Sequence, residues 1–234
     1  LYVTTADGTH AIDLETMELL WSSDFQFRDF TPGPPGYGFM QVEMRQMLVI
    51  DTEEGTVVTR LEANGPMLDG IVPINDESWA SFCRLDEEFY VFDSDDWSLR
   101  GTSVDQHGRM EGKTFEPRRI HGMESLGGDR LMTWDTSEAP ALSLWDASDL
   151  RRVHSISLPA AEKLETRVRL DEDQSHAIVY SDRPDIRIYD LETAEEVAVL
   201  VGHEDSVIGV RQLDDGRLVS WSDDATIRLW ELQR

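Results

Sequence analysis

Short hydrophobic runs recur along the chain, and each ends in a hydrophobic residue followed by an acid. Apolar and polar residues alternate inside these runs, which are rich in β-branched and aromatic residues and therefore typical of β-strands. Six runs share this ending: THAIDLE, QMLVIDTEE, EFYVFDSDD, ALSLWDASD, IRIYDLE and TIRLWEL. They recur at intervals of roughly 38 to 53 residues, near the period of propeller blades. The pattern predicts repeated β-rich units.

The segments that precede these runs also repeat. In the last unit a glycine is followed at fixed spacing by a leucine, a hydroxyl residue and a tryptophan: Gly209, Leu213, Ser220 and Trp221. The same spacing recurs two units earlier: Gly122, Leu126, Thr133 and Trp134. Turn signals such as LDDG and LGGD separate the strands within a unit. Each unit is therefore expected to contain four short strands.

Four-stranded units in series predict an all-β fold, a β-propeller of four-stranded antiparallel blades. About six units are visible, and residues 1–234 are expected to form a single domain, with seven blades if a further one lies upstream. The first unit starts at what would be a second strand, and the last stops after its third. Because an unpaired edge promotes aggregation, we expect upstream sequence or another copy to supply the missing strands.

The last unit resembles a WD repeat. The resemblance is carried by Gly202-His203, by the SWSDD stretch and by Trp230-Glu231, and it is strong over residues 200–232. Trp145-Asp146, two repeat units before the last, supports the resemblance. The resemblance implies a structural tetrad, in which the aspartate bonds the histidine, the histidine bonds the hydroxyl and the hydroxyl bonds the indole N–H: His203, Ser220, Asp224 and Trp230. Ser222 is an alternative to Ser220 in this role.

The other units keep the period and the hydrophobic pattern but depart at the tetrad histidine. Asn64, Glu116 and Ala160 stand where the last unit has His203. The tryptophans at repeat-equivalent strand positions are expected to pack between blades: Trp134, Trp145, Trp221 and Trp230. Trp97, beside acids in a turn, is expected to be exposed.

Catalytic and metal-binding patterns are weak. A Ser-His-Asp nucleophile is the rival interpretation of the last unit, but no Gly-x-Ser-x-Gly elbow is present. The acidic stretches DSDDW and DEDQS lack EF-hand spacing, and the six histidines show no paired metal spacing. We therefore expect no catalytic residue, no metal and no cofactor.

Composition narrows the choice of partners. The formal charge of −26 comes from 47 acidic against 21 basic residues, which disfavours nucleic acid. Such a charge indicates either a solubilising surface or a basic partner. No apolar run is long enough to span a membrane. Cys83 is the only cysteine, which fits a reducing, cytoplasmic location.

The resemblance implies a non-enzymatic protein–protein interaction domain, or a sensor or regulatory scaffold within a larger bacterial protein. Its partner would be a protein or peptide, such as an attached effector domain. The alternative is a propeller enzyme with a metal or ligand site at the mouth of the central channel.

The resemblance also implies a binding face, made by residues that flank each inner strand and by the residue before the tetrad aspartate. Its basic members, with Arg84 and Arg119 foremost, would bind a carboxylate-rich peptide, or alternatively balance neighbouring acids. The candidate face comprises Met67, Asp69, Arg84, Arg119, His121, Lys163, Glu165, Ser206, Ile208 and Asp223.

Overall fold

The structure, a computed structural model, describes nine segments of the chain. They are residues 1–5, 7–24, 29–42, 47–62, 68–83, 88–103, 120–136, 139–160 and 166–232. Within these segments the chain forms β-strands and no α-helix. The first eleven strands are β1 (Tyr2–Thr5), β2 (Gly8–Ile12), β3 (Leu19–Ser23), β4 (Asp29–Pro32), β5 (Tyr37–Gln41), β6 (Met47–Asp51), β7 (Val57–Leu61), β8 (Gly70–Asn75), β9 (Ser78–Phe82), β10 (Phe89–Asp93) and β11 (Leu99–Thr102). The remaining strands are β12 (Ile120–Gly127), β13 (Arg130–Asp135), β14 (Ala141–Asp146), β15 (Arg151–Ser157), β16 (Arg167–Leu170), β17 (His176–Tyr180), β18 (Asp185–Asp190), β19 (Glu196–Val201), β20 (Val207–Gln212), β21 (Leu218–Ser222) and β22 (Ile227–Trp230).

These strands form six sheets, and each sheet uses strands that follow one another in the chain. The first sheet contains β1–β3, the second β4–β7, the third β8–β11, the fourth β12–β15, the fifth β16–β19 and the sixth β20–β22. In the described residues the first and sixth sheets thus have three strands and the others four. The predicted all-β fold of four-stranded antiparallel blades is confirmed.

Burial follows the position of a strand within its sheet. In β10, an inner strand of the third sheet, Phe89 to Phe92 are all buried because both faces of the sheet are covered. In β19, at the edge of the fifth sheet, Val197, Val199 and Val201 are exposed. The hydrophobic runs recognised in the sequence are therefore mostly the third strands of the sheets, such as β10 and β18.

The chain divides into two compact units. One contains Leu1–Leu131 with Ala147–Arg151, and the other contains Met132–Asp146 with Arg152–Arg234. In the first unit, side chains of consecutive sheets meet in two clusters, one around Met40 and Trp21 and one around Phe39 and Phe92.

The second unit has a cluster between the fifth and sixth sheets. Ile178, Ile186 and Ile188 of the fifth sheet meet Val210 and Leu218 of the sixth. Sheets that bury both faces against their neighbours in this way match the blade arrangement that the repeats predict.

The acid at the end of three of the hydrophobic runs accepts the N–H groups of the turn that follows. The Oδ1 atom of Asp51 accepts the N–H groups of Glu53 and Glu54 at 2.8 and 2.9 Å, and the Gly55 N–H donates to the Asp51 carbonyl at 2.9 Å. Side-chain acceptance of this kind satisfies turn N–H groups that have no strand partner. The same Oδ1 contacts recur at Asp13 and Asp190.

The fifth residue of these turns has a positive φ. The angle is 59° at Met17, 70° at Gly55, 61° at Trp97 and 60° at Ala194. The turn therefore imposes a left-handed backbone, which glycine adopts most easily.

Two tryptophans differ from expectation. The prediction that Trp97 is exposed is wrong: its turn directs the ring inward, where it contacts Phe39 and is 6% exposed. Trp221, which the repeat predicts to pack between blades, is also placed differently. Its ring lies over Gly209 of its own sheet and is 41% exposed.

Candidate functional site

A chain of hydrogen bonds links the sixth sheet and its β21–β22 turn to the loop before β20. His203 Nδ1 lies 2.9 Å from Asp224 Oδ2, and His203 Nε2 lies 2.8 Å from Ser220 Oγ. The indole N–H of Trp230 donates to the same Ser220 oxygen at 2.8 Å. The four residues of the predicted tetrad thus lie together in one bonded chain.

The order of the donors follows from the chemistry of the groups. An ionised carboxylate can only accept, so His203 Nδ1 carries the proton and Nε2 is left as an acceptor. The Ser220 hydroxyl then donates to Nε2 and accepts from Trp230. Every polar side-chain atom of the tetrad is therefore paired, as buried polar groups require.

Asp224 is held in its ionised form. Burial alone would raise the pKa of its carboxyl. The hydrogen bonds that it accepts from the Thr226 hydroxyl and the Glu204 N–H outweigh burial and hold that pKa well below its ordinary value. The bond to His203 acts in the same direction.

This geometry resembles a Ser-His-Asp triad, but the serine is sealed. The Ser220 side chain has no exposed surface, and its oxygen already accepts the Trp230 N–H. A nucleophile needs an open approach to its substrate. The arrangement therefore fixes the loop to the sheet and offers no attacking oxygen.

Ser222, the alternative to Ser220, has a different set of bonds. Its hydroxyl donates to the Asp205 carbonyl at 3.0 Å and accepts the Asp224 N–H at 3.1 Å. It ties the loop of residues 203–206 to the turn after β21, beside the tetrad.

Within the described residues, the fourth and third sheets keep parts of this set of hydrogen bonds. In the fourth sheet the Trp145 indole donates to the Thr133 hydroxyl at 2.9 Å. In the third sheet Phe92 stands at the tryptophan position, and its side chain has no N–H to donate. Ser81, at the hydroxyl position, donates to the Gly70 carbonyl at 2.6 Å instead. Replacement of one partner thus redirects the hydroxyl to the backbone.

A second Ser-His-Asp group lies in the hairpin between β16 and β17. Ser175 Oγ and Asp171 Oδ2 both lie against Nδ1 of His176, at 2.8 and 2.9 Å. A catalytic triad uses opposite nitrogens of the imidazole, so this group cannot relay a proton from the serine to the carboxylate. Asp171 also accepts the N–H groups of Ser175 and His176, as a turn residue does.

Three members of the candidate binding face lie together in the second unit. The Asp223 N–H donates to the Ser206 carbonyl at 3.0 Å, and the carbonyl of Ile208 accepts a bond from Arg167. Ile208 and Asp223 are exposed, and Ser206 is half-buried. We call these three residues the loop-end surface.

The other candidate residues have separate outcomes. Asp69 and His121 are half-buried residues of the first unit, beside β8 and on β12. The remaining members fall outside the described residues: Met67, Arg84, Arg119, Lys163 and Glu165.

Within the nine described segments, no group of three or more His, Cys, Asp or Glu side chains is placed to hold a metal ion. No helix there has the length and hydropathy needed to cross a membrane.

The sequence interpretation missed one feature of the sixth sheet. Arg228 lies opposite Ser220 on β22, and its buried Nε has no hydrogen-bond partner among the residues that the structure describes. A signal was present in the sequence, because DIRIYD and TIRLWE carry arginine at the same position of the repeat.

Comparisons with known proteins extend these observations. No protein-family model matches the chain. Transducin beta-like protein 3 of Bos taurus is 34% identical over 94 residues, which are 40% of this chain and 12% of that protein. A ribosome biogenesis protein WDR12 homolog of Aedes aegypti is 27% identical over 177 residues, covering 69% of this chain and 33% of that protein. The chain therefore spans a third or less of the length of these relatives.

Among solved structures, the crystal structure of the computationally designed Ika8 protein is similar, with a TM-score of 0.72. The match covers 99% of this chain and 67% of the designed chain at 13% sequence identity. At that identity the likeness concerns the fold alone.

Proposed function

We propose that this chain, which resembles WD-repeat proteins in sequence and in the architecture of its sheets, is a non-enzymatic protein-interaction scaffold. Both curated relatives are WD-repeat proteins, which confirms the resemblance predicted from the sequence. A scaffold needs a rigid frame that presents loops, whereas an enzyme needs an accessible reacting group.

The observation that carries this proposal is the sealed tetrad beside the loop-end surface. Ser220 and His203 are buried, and the hydrogen bond between them holds the loop before β20 against the sheet. Ile208, the second residue of β20, follows that loop directly and is 42% exposed, near the acidic Asp223. An exposed apolar residue with an acidic neighbour at the end of a fixed loop suits the binding of a protein or peptide.

The wider setting of the chain is also a proposal. A sensor or regulatory role beside an effector domain, within a larger bacterial protein, accounts for the degenerate repeats. A cytoplasmic location accords with the single cysteine, the buried Cys83. Upstream sequence or another copy would supply further strands to the three-stranded sheets.

Capture of partners from the native cell tests the binding face. Ile208→Glu should abolish the capture of specific partners because it places a charge in the centre of the contact. Val197→Glu is the matched control, since Val197 is a similarly exposed apolar residue on β19, outside the candidate face. Quantitative mass spectrometry of the retained proteins is the measurement. Equal retention by both variants would remove the loop-end surface from consideration.

The same proposal includes Arg84 and Arg119 of the candidate face. If these arginines bind a carboxylate-rich segment of the partner, replacing both by glutamate should abolish partner capture while the melting temperature stays nearly unchanged. Capture by the unmodified chain should also weaken with added salt.

A further inference from the structure

The outer edge of β19 is unpaired although its sheet has all four strands. Within the described residues β19 bonds only β18, so its other edge presents backbone N–H and C=O groups that no strand bonds. The fifth sheet lies between the fourth and the sixth along the chain. The open edge of β19 is therefore a feature of a sheet that the chain itself completes.

The regular part of β19 is longer than that of β7 or β11. A register shift between Ile188 and Tyr189 interrupts the start of β19, and residues 198–201 then pair one by one with β18. After the equivalent shifts, three residues of β7 and two of β11 are paired. Four paired residues offer an added strand a continuous ladder. We call residues 198–201 the β19 edge; Val197 lies at the shift and outside it.

The side chains of the β19 edge do not protect it from another strand. Val199 and Arg60 of β7 are each the second paired residue after the register shift. Arg60 is exposed, as is Arg152 of β15, and a charged side chain on an edge disfavours the addition of a strand. The β19 edge carries no charged residue, and its Val199 and Val201 are 39% and 76% exposed. Among these outer strands, β19 is therefore the one open to pairing.

Acids flank the β19 edge at both ends. Glu192 and Glu195 are exposed in the turn before it. Glu204 and Asp205 are exposed in the loop after it. No lysine or arginine occurs in residues 188–210. The negative potential at both ends of the edge favours a partner that carries cations at the matching positions.

The same charges disfavour a second copy of the chain as the partner. Two antiparallel copies of β19 would place the acidic turn of one copy beside the acidic loop of the other. Two parallel copies would place identical acids side by side. Because like charges that face each other destabilise a strand pair, both arrangements are unfavourable. The charges therefore favour a basic partner of a different sequence.

We propose that the β19 edge binds an extended segment of a protein partner, in which alternating aliphatic residues are flanked by lysine or arginine at both ends. The segment adds a fifth strand to the fifth sheet. Its main-chain bonds supply affinity, its aliphatic residues cover Val199 and Val201, and its cations meet the acids at the two ends. This inference rests on the proposed interaction role and adds to it a contact surface made of other residues than the loop-end surface.

A designed peptide can test the β19 edge directly. The probe is Lys-Lys-Val-Thr-Val-Thr-Val-Lys-Lys, in which lysines flank alternating valines, added to the 234-residue chain. Hydrogen exchange of the outward backbone amides of β19 should slow by about tenfold, in a saturable way, because a strand partner protects edge amides. The same peptide with glutamate in place of every lysine should bind about tenfold more weakly, and added salt should narrow this difference.

Two matched variants locate the contact. Val199→Arg gives β19 the arginine that β7 has at Arg60, so the lysine-flanked peptide should no longer protect β19. Val57→Arg is the control, because Val57 is 40% exposed on an outer strand that already carries an arginine, and it should leave binding unchanged. Thermal unfolding verifies that both variants fold. If Val199→Arg fails to fold, the two peptides on the unmodified chain still decide the question.

Equal binding of both peptides by the unmodified chain would overturn the proposal, as would protection at strands other than β19 or binding that survives Val199→Arg. Protection of β19 that rises with protein concentration without peptide would identify a second copy as the occupant and reject the basic partner. Loss of capture by Ile208→Glu together with indifference to the peptide would retain the scaffold and reject the β19 edge. Protection of β19 by the peptide without specific capture from the cell would support the β19 edge and reject the loop-end surface.

Discussion

His203, Ser220 and Trp230 depend on one another because the Ser220 hydroxyl is the shared partner of the other two side chains. Removal of one member leaves the next without a partner inside the protein, where water cannot replace it. The tetrad is therefore expected to act on the stability of the last sheet, and on binding only through that stability.

Ser220→Ala should lower the free energy of unfolding by about 1 to 3 kcal/mol, the cost of leaving buried polar groups unpaired. The affected groups are the Trp230 indole and the Nε2 of His203. Urea unfolding is the measurement. Ser157→Ala, at an exposed position of β15, should change the free energy by less than about 0.5 kcal/mol. Equal effects of the two substitutions would contradict a structural role.

Asp224 makes a pH-dependent contribution. Its folded pKa lies below its unfolded value of about 3.9, so its stabilising effect is complete above that value and is lost as the pH falls toward the folded pKa. The difference in melting temperature between the unmodified chain and Asp224→Asn should therefore be constant above about pH 5 and shrink below about pH 4. A difference that is independent of pH down to pH 2 would be inconsistent with an ionised Asp224.

Turns between third and fourth strands are the best-defined repeated element. The hydrophobe–acid ending was visible in the sequence, but its purpose was not: the carboxylate accepts turn N–H groups and the fifth residue adopts a positive φ. Only the backbone angles reveal that Gly55 and Ala194 occupy the same conformation, with φ of 70° and 60°.

Gly55→Ala should destabilise the chain by more than about 1 kcal/mol, because a left-handed backbone disfavours a Cβ. The new Cβ would also collide with the Trp21 ring. Ala194→Gly, at the equivalent turn, should be neutral or stabilising by up to about 1 kcal/mol. Denaturant unfolding compares the two. A stabilising Gly55→Ala would mean that this turn is not the repeated one.

At the level of the whole molecule, the net charge is expected to set how stability depends on salt. A formal charge of −26 makes the folded chain repel itself, and added salt screens that repulsion. The melting temperature should therefore rise between about 20 and 300 mM sodium chloride. Attractive pairs such as Arg187 with Asp185 would act in the opposite sense, so a fall in melting temperature would show that ion pairs outweigh the net repulsion.

The sequence by itself determined the repeat, the all-β class and the membership of the tetrad. Strand periodicity is local, and the resemblance of residues 200–232 to a WD repeat, which implies the tetrad, is visible without coordinates. His203, Ser220, Asp224 and Trp230 could thus be named before any distance was known, and the structure joins them through bonds of 2.8 to 2.9 Å.

The tertiary structure decided which repeated positions are covered. Exposure depends on what packs beside a sheet, so the same pattern buries Ile186 at 0% and leaves Ile227 at 75%. It also decided that Trp97 turns inward and that Trp221 lies exposed over Gly209. Among the described residues it leaves the buried Nε of Arg228 without an acceptor. A residue's type and spacing are encoded locally, but its neighbours across sheets and at sheet edges exist only once the chain has folded.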